Sequence, residues 1–335
     1  MTQQVRAAAL THFVEVAQSR GLSPLTLLQE AGLDPMVLEH PDLPVPVDRV
    51  SLLLERCARL SACEDFGLRM AARRQISNLG PVGLLIRDQP TLRDALNVLL
   101  RHQRAVNKAL LISMQETGAV AIVKLDLLAG HGGPVRQAIE LSVGVLMRLM
   151  SQILGAQWRP RRVCFMHDIP ADVSGHLAIF GPCVEFRHDF NGIVCSQQDL
   201  DCTNPLADPA MMRYSRELLQ QVLREDGGEA PFLDQVRQAI LDLLPGGRCS
   251  IELMAQRLGL NCRTVQRRLA DKGVCFSELV QELRLELAQR HVQGGVRPLS
   301  EVASLLGFSA ASGFTRWYVG QFGHSPSQAR VAASR

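Results

Sequence analysis

Apolar residues recur at three- and four-residue intervals through most of the first hundred positions. Val50, Leu53, Leu54, Cys57 and Leu60 form one such stripe, and Asp94 to Leu100 carries another. The period then changes. Leu110 to Met114 and Ala119 to Leu127 are rich in β-formers and meet at Thr117-Gly118, which predicts a hairpin. A long helix is expected over Val135 to Leu154, with Pro134 before its start and Gly155 as its stop. Beyond it, Arg162 to Met166 reads as a strand, Asp172 to Phe180 as a short helix, and Val184-Glu185-Phe186 and Ile193-Val194-Cys195 as short strands. Strands interleaved with helices and a hairpin predict an α+β domain. Glu225-Asp226-Gly227-Gly228-Glu229-Ala230-Pro231 then interrupts two helical patterns and marks a domain boundary, with a second break at Pro245-Gly246-Gly247. Phe232, Val236, Ile240 and Leu243-Leu244 keep helical spacing between the two.

Composition narrows the function. The chain has 335 residues, 47% of them hydrophobic and 21% charged, enough for two cores and too apolar for chain-wide disorder. No apolar run approaches the roughly 18 residues of a membrane span. Met1 to Ala17 is amphipathic and lacks the layout of a secretory signal, so a cytoplasmic protein is expected. The nine cysteines include no C-x-x-C pair, which fits a reducing compartment and disfavours a disulfide framework or a zinc ribbon. Phosphate-loop, dinucleotide-binding, zinc-protease and nucleophile-elbow motifs are absent, so no enzyme, catalytic residue, metal or cofactor is expected.

Charge is unevenly distributed. Pro245 to Arg335 holds 12 Lys and Arg against 6 Asp and Glu, a net of +6; the remainder, with 24 against 27, is −3. A basic C-terminal third suggests a polyanionic partner. That third also contains a repeat. Ala255-x-x-Leu258-Gly259-Leu260 followed by Val265 and Leu269 returns as Ala303-x-x-Leu306-Gly307-Phe308 followed by Phe314 and Tyr318. A small residue admits a neighbouring helix, the glycine ends the first helix in a left-handed conformation, and a second helix follows. Ser250 and Ser300 are expected to cap the first helix of each pair, and Asn261 and Ser309 the second. The pattern is a helix-turn-helix written twice. The first spans about 250–272 and the second about 300–321, joined by a linker helix over about 276–292. Such a linker could place two recognition helices in successive major grooves, about 34 Å apart.

In the first copy Val265 and Leu269 face inward, which leaves Cys262, Arg263, Gln266 and Arg267 outside near the start of the second helix, after Asn261. Arg can fork onto guanine and Gln can pair with adenine. Arg268 and Lys272 are candidates for phosphate contacts. The second copy offers only Ser312, Thr315 and Arg316, so the first is expected to carry most of the base reading.

Residues 232–330 resemble the DNA-binding domain of AraC/XylS-type transcription regulators. The resemblance rests on Thr264-Val265-Gln266-Arg267-Arg268-Leu269, Gly307-Phe308-Ser309, Ser312-x-Phe314-x-Arg316, Gly323-His324-Ser325-Pro326 and Arg330. Departures are Val319 and Gly320, where the family often has Lys or Arg, Ala329 in place of a Tyr, and the bulky Trp317. Asp65-Phe66-Gly67-Leu68-Arg69, Leu79-Gly80-Pro81-Val82 and Cys183-Val184-Glu185-Phe186 resemble the family branch with a long N-terminal domain of the so-called arabinose-binding type. That inherited name does not imply that arabinose binds. The resemblance implies an effector-sensing or dimerisation domain over 1–225 and a DNA-binding domain over 226–335. The expected fold class is thus an α+β domain followed by an all-α DNA-binding domain with two helix-turn-helix units. The implied function is a sequence-specific, ligand-responsive activator that works as a homodimer on promoter half-sites of double-stranded DNA, with RNA polymerase and an unknown small-molecule effector as partners and no membrane.

Weaker signals remain. Arg101, His102 and Arg104 could neutralise an acidic effector or form a solvated face. Cys183, His188, Cys195 and Cys202 lack compact ligand spacing. Gly130-His131-Gly132-Gly133-Pro134 could nest an anion or lead into a helix. Two other classes stay open: a helical-repeat module that binds protein, and an enzyme with a regulatory C-terminal domain.

Overall fold

The computed structural model describes residues 3–127, 135–225, 232–245, 247, 249–293 and 298–333; the Gly130 to Pro134 stretch lies outside them. The chain divides into two compact units, Met1–Glu225 and Asp226–Arg335.

The first unit mixes helices with two sheets. Strands β1 (Gln4–Arg6) and β2 (Pro44–Pro46) form a small antiparallel ribbon. The main sheet has five strands: β3 (Leu110–Thr117), β4 (Val120–Leu127), β5 (Arg162–Cys164), β6 (Val184–Glu185) and β7 (Asn191–Ser196), in the order β3-β4-β7-β5-β6. All neighbours are antiparallel except β5 and β6. The hairpin pairs Thr117 with Val120, leaving Gly118, at φ +59°, as its first turn residue. Period-two alternation puts Ala121, Val123, Leu125 and Leu127 of β4 in the core. β5 stops short of Met166, because the amide of Met166 donates to the Asn191 side chain (2.9 Å).

The helix Arg136–Leu154 is the spine of this unit. Twelve of its residues are buried, including Gln137 and Glu140. It packs on β4, β7 and the helices Val47–Leu60 and Phe66–Arg73. Two glycines allow the last contact. A Cβ on Gly67 would lie 2.1 Å from the Gln137 carbonyl oxygen, and one on Gly144 2.6 Å from the Ala71 Cβ. Buried Gln137 locks the crossing: its side chain accepts from the Gly67 amide and donates to the Glu64 carbonyl, both at 2.7 Å.

The second unit is helical throughout its described residues. Helices Ile251–Arg257 and Cys262–Ala270 form one pair and Leu299–Leu305 and Ala311–Phe322 another, with Phe276–Gln293 between them. Phe232–Leu243 and Pro326–Ala333 flank the set. The two turns share one hydrogen-bond pattern. Leu260 donates to the Ala255 carbonyl and Phe308 to the Ala303 carbonyl, each at 2.9 Å, around Gly259 at φ +65° and Gly307 at φ +79°. Inward Val265, Leu269, Phe314 and Tyr318 are all buried. The caps differ between copies. The side chains of Ser250 and Asn261 cap their helices as expected. In the second copy Pro298, not Ser300, precedes the first helix, and Ala310, not Ser309, precedes the second, neither with a side-chain cap. Arg284 ties the middle helix to the second turn, donating to the Leu306 carbonyl (3.0 Å) and stacking on Phe308 (5.4 Å).

The two turn glycines predict different tolerances. A Cβ on Gly259 would meet nothing, whereas one on Gly307 would lie 2.7 Å from the Leu244 carbonyl oxygen. Gly259→Ala should cost about 1 kcal/mol for the left-handed backbone. Gly307→Ala should add a clash of about 1–3 kcal/mol on top of that. Urea unfolding of the two variants checks the order.

Candidate functional site

The Cys262–Ala270 helix begins at Asn261, whose side-chain oxygen accepts from the Thr264 amide at 2.8 Å. That cap satisfies one of the open N–H groups at the helix start and fixes where the first turn points. It leaves the Asn261 amide nitrogen available to a ligand. With Val265 and Leu269 in the core, Arg263, Gln266 and Arg267 are exposed, and their side chains have no partner among the described residues. Cys262 is half-buried and Lys272 exposed at the far end. The predicted face is therefore brought together on one side of one helix. The Arg268 guanidinium stacks 5.4 Å over the Phe232 ring, and the residue remains exposed.

The second copy is more engaged with itself. Ser312 and Arg316 are exposed, but the Thr315 hydroxyl donates to the Ala311 carbonyl at 2.9 Å. Trp317 packs on Phe308 and Phe314 and its indole N–H donates to Gln281 (3.4 Å). The bulky Trp317 thus fills the space between this pair and the middle helix.

The first unit holds a cavity of about 100 Å³, several times the ~10–15 Å³ that one ordered water takes up. Val50, Leu54, Leu99, Ile112, Leu125, Leu141, Leu146 and Leu149 line it, drawn from five separate stretches of chain. Two buried polar groups on its wall lack hydrogen-bond partners: the Ser51 hydroxyl and the Arg74 Nε. Arg74 is buried, and its Nη2 donates to the backbone carbonyls of Ala9 and Thr11. Burial lowers its pKa to about 10, still leaving it charged at neutral pH, and among the described residues no carboxylate pairs with it. The wall does not include Arg101, His102 or Arg104, although their helix, Leu92–Val106, supplies Leu99 and Val106. Arg101 is exposed. His102 sits at a break in the helix (φ −114°, ψ 16°), and burial, with the Arg101 charge, lowers its pKa. The sequence offered no signal for Ser51 or Arg74, which meet only in the folded unit.

All nine cysteines are free. Cys183, Cys195 and Cys202 are not gathered around His188; Cys164 and Glu185 are.

Two family matches follow the same division. Residues 21–204 match the arabinose-binding N-terminal domain of AraC transcription regulators, and residues 254–332 match a helix-turn-helix domain. The chain belongs to the AraC family of transcription regulators. It is 29% identical to the transcriptional regulator VirS of Mycobacterium tuberculosis over 331 residues, covering 98% of this chain and 96% of that protein. Identity to the ornithine utilization regulator of Pseudomonas aeruginosa is 23%, covering 95% and 94%. The crystal structure of the regulator CdpR from Pseudomonas aeruginosa aligns over 91% of this chain and 95% of that one, with a TM-score of 0.45 and 20% identity. The protein is thus a DNA-binding transcription regulator. Among its described residues, no helix is long and apolar enough to cross a membrane.

The cap predicts a local effect. Asn261→Ala should cost about 1 kcal/mol. The loss should appear as faster amide exchange at Arg263 and Thr264, measured by hydrogen exchange, with the first unit unchanged.

Proposed function

We propose that this regulator reads DNA through two helix-turn-helix units held by the Phe276–Gln293 linker helix, with the first unit carrying most of the base readout. The observation that carries this is the capped Cys262–Ala270 helix, with Arg263, Gln266 and Arg267 exposed and unpaired on one face. Arg263 and Arg267 fork onto guanine edges, Gln266 pairs with adenine, and Asn261 and Cys262 contact the groove near the helix start. Lys272 and Arg268 meet phosphates. In the second unit Ser312, Thr315 and Arg316 mainly position the domain.

Residues 1–225 sense the effector and pair two chains, and residues 226–335 bind the half-sites. The protein acts in the cytoplasm without catalysis of its own, activating transcription through contact with RNA polymerase. We place the effector in the cavity rather than at Arg101, His102 and Arg104. The apolar wall suits a small apolar body, and the unpaired Arg74 and Ser51 suit an anionic group on it. A ligand that prefers one state of the first unit shifts the population of DNA-competent dimers.

The experiment is a selection from random DNA with full-length protein at two salt concentrations. An enriched, repeated half-site supports the reading. Folded protein that enriches no sequence, with or without candidate effectors, refutes it. Arg267→Ala should lose about 1–3 kcal/mol of discrimination at one base position per half-site. Lys272→Ala should weaken every sequence alike and flatten the salt dependence by about one phosphate contact. Equal losses for both variants at all sequences would show that the recognition face lies elsewhere.

The cavity makes a separate prediction. In a panel of small apolar acids and their matching alcohols, acids should raise the melting temperature of the full chain and the alcohols should do so less. Arg74→Gln should erase that difference.

A further inference from the structure

The helix Arg136–Leu154 turns a second face to chemistry that the DNA-binding role does not use. At 3.6 residues per turn, Glu140 lies roughly opposite the residues that line the cavity. Glu140 is fully buried and neither carboxylate oxygen has a hydrogen-bond partner. Facing it are His176, also fully buried with both ring nitrogens unpartnered, and His167, mostly buried with Nε2 unpartnered. The two Nε2 atoms lie 3.1 Å (His176) and 3.3 Å (His167) from Glu140 Oε1.

These groups converge without the alignment of hydrogen bonds. Their spacing is that of donors around a shared ion. Ligands about 2.0–2.1 Å from a metal stand about 2.9–3.4 Å apart in octahedral or tetrahedral geometry. All three donor atoms lie within 4.8 Å of one another. The surroundings favour ligation. His167 Nδ1 lies 2.9 Å from the Asp168 carbonyl, so its proton belongs there and the Nε2 lone pair faces Glu140. Phe165 and Phe186 wall in both imidazoles, with ring centroids 5.1–5.8 Å away. The nearest fixed cation is Arg136, with Nε 3.6 Å from Glu140 Oε1. Its Nη2 donates to the Glu64 carbonyl (2.8 Å) and its Nη1 lies 3.8 Å from the Glu64 carboxylate, which shares that charge.

We propose that Glu140, His167 and His176 bind one divalent transition-metal ion inside the first unit. Two imidazoles and one carboxylate suit zinc, iron(II) or cobalt(II) over calcium or magnesium, and leave coordination positions for water or a small ligand. The ion joins the spine helix to the segment after β5 and to the helix Ser174–Phe180 that follows it. A second grouping, Cys164, Glu185 and His188, competes for the assignment. That group is less enclosed: Glu185 is exposed and lies 3.8 Å from the Arg162 guanidinium, whereas Glu140 and His176 are fully buried.

Full-length protein stripped by a chelator and titrated with Co²⁺ tests this, by visible absorption and by equilibrium dialysis. The expected result is one ion per chain, with ligand-field bands and no thiolate charge-transfer band. Glu140→Gln and His167→Ala should each weaken binding at least about tenfold, the lower bound for losing even an outer-shell partner. Cys164→Ser should leave binding unchanged. If Glu140→Gln fails to fold by circular dichroism, His167→Ala carries the test alone, through the Co²⁺-dependent rise in unfolding temperature that the wild type shows and this variant lacks. The proposal is overturned if the stripped wild type takes up no Co²⁺. It is equally overturned if binding shows a thiolate band and is lost in Cys164→Ser, or if it persists unchanged in folded His167→Ala.

Discussion

The first unit depends on how closely two helices can approach. Arg136–Leu154 and Phe66–Arg73 meet where Gly67 and Gly144 carry no side chain, near enough that a single methyl group would collide. The contact is directional as well as tight, because Gln137 spends its side chain on Gly67 and Glu64 and its amide donates to Glu55 (2.7 Å). Buried polar groups satisfied in this way fix one crossing and exclude slipped ones. The position of the spine helix then sets the sheet packed on it, the wall of the cavity and the depth of Glu140.

The second unit uses a related economy twice, with unequal results. Both turns close around a left-handed glycine with the same hydrogen bonds. In the first pair the space outside the core is left to charged and amide side chains. In the second, Phe308, Phe314 and Trp317 stack on one another and Arg284 seals the turn against the middle helix. A duplicated backbone motif therefore carries two different surfaces, one polar and open, one aromatic and tied down.

What could be read from sequence was what local periodicity encodes. The hairpin, the spine helix and the paired glycines each depend on residues within a few positions of one another. The outward face of Cys262–Ala270 followed from Val265 and Leu269 alone. Other features needed partners from far along the chain. Ser300 and Ser309 look like caps by type, yet the residues that precede the two helices are Pro298 and Ala310. β5 is cut short by an asparagine 25 residues away. Arg268 finds the ring of Phe232, and Ser51 and Arg74 meet across a cavity that no spacing rule describes. Glu140, His167 and His176 have no motif between them; only the fold of the spine helix against the segment after β5 makes them neighbours.

The cavity has a thermodynamic meaning of its own. A ligand on this wall gains dispersion contacts with Val50, Leu54, Leu99 and Leu141 and stabilises the folded unit by mass action, by about 2.7 kcal/mol when it stands at a hundred times its dissociation constant. Occupancy and resistance to unfolding or proteolysis rise together in such a domain, so the lifetime of the regulator becomes a second record of the molecule it has met.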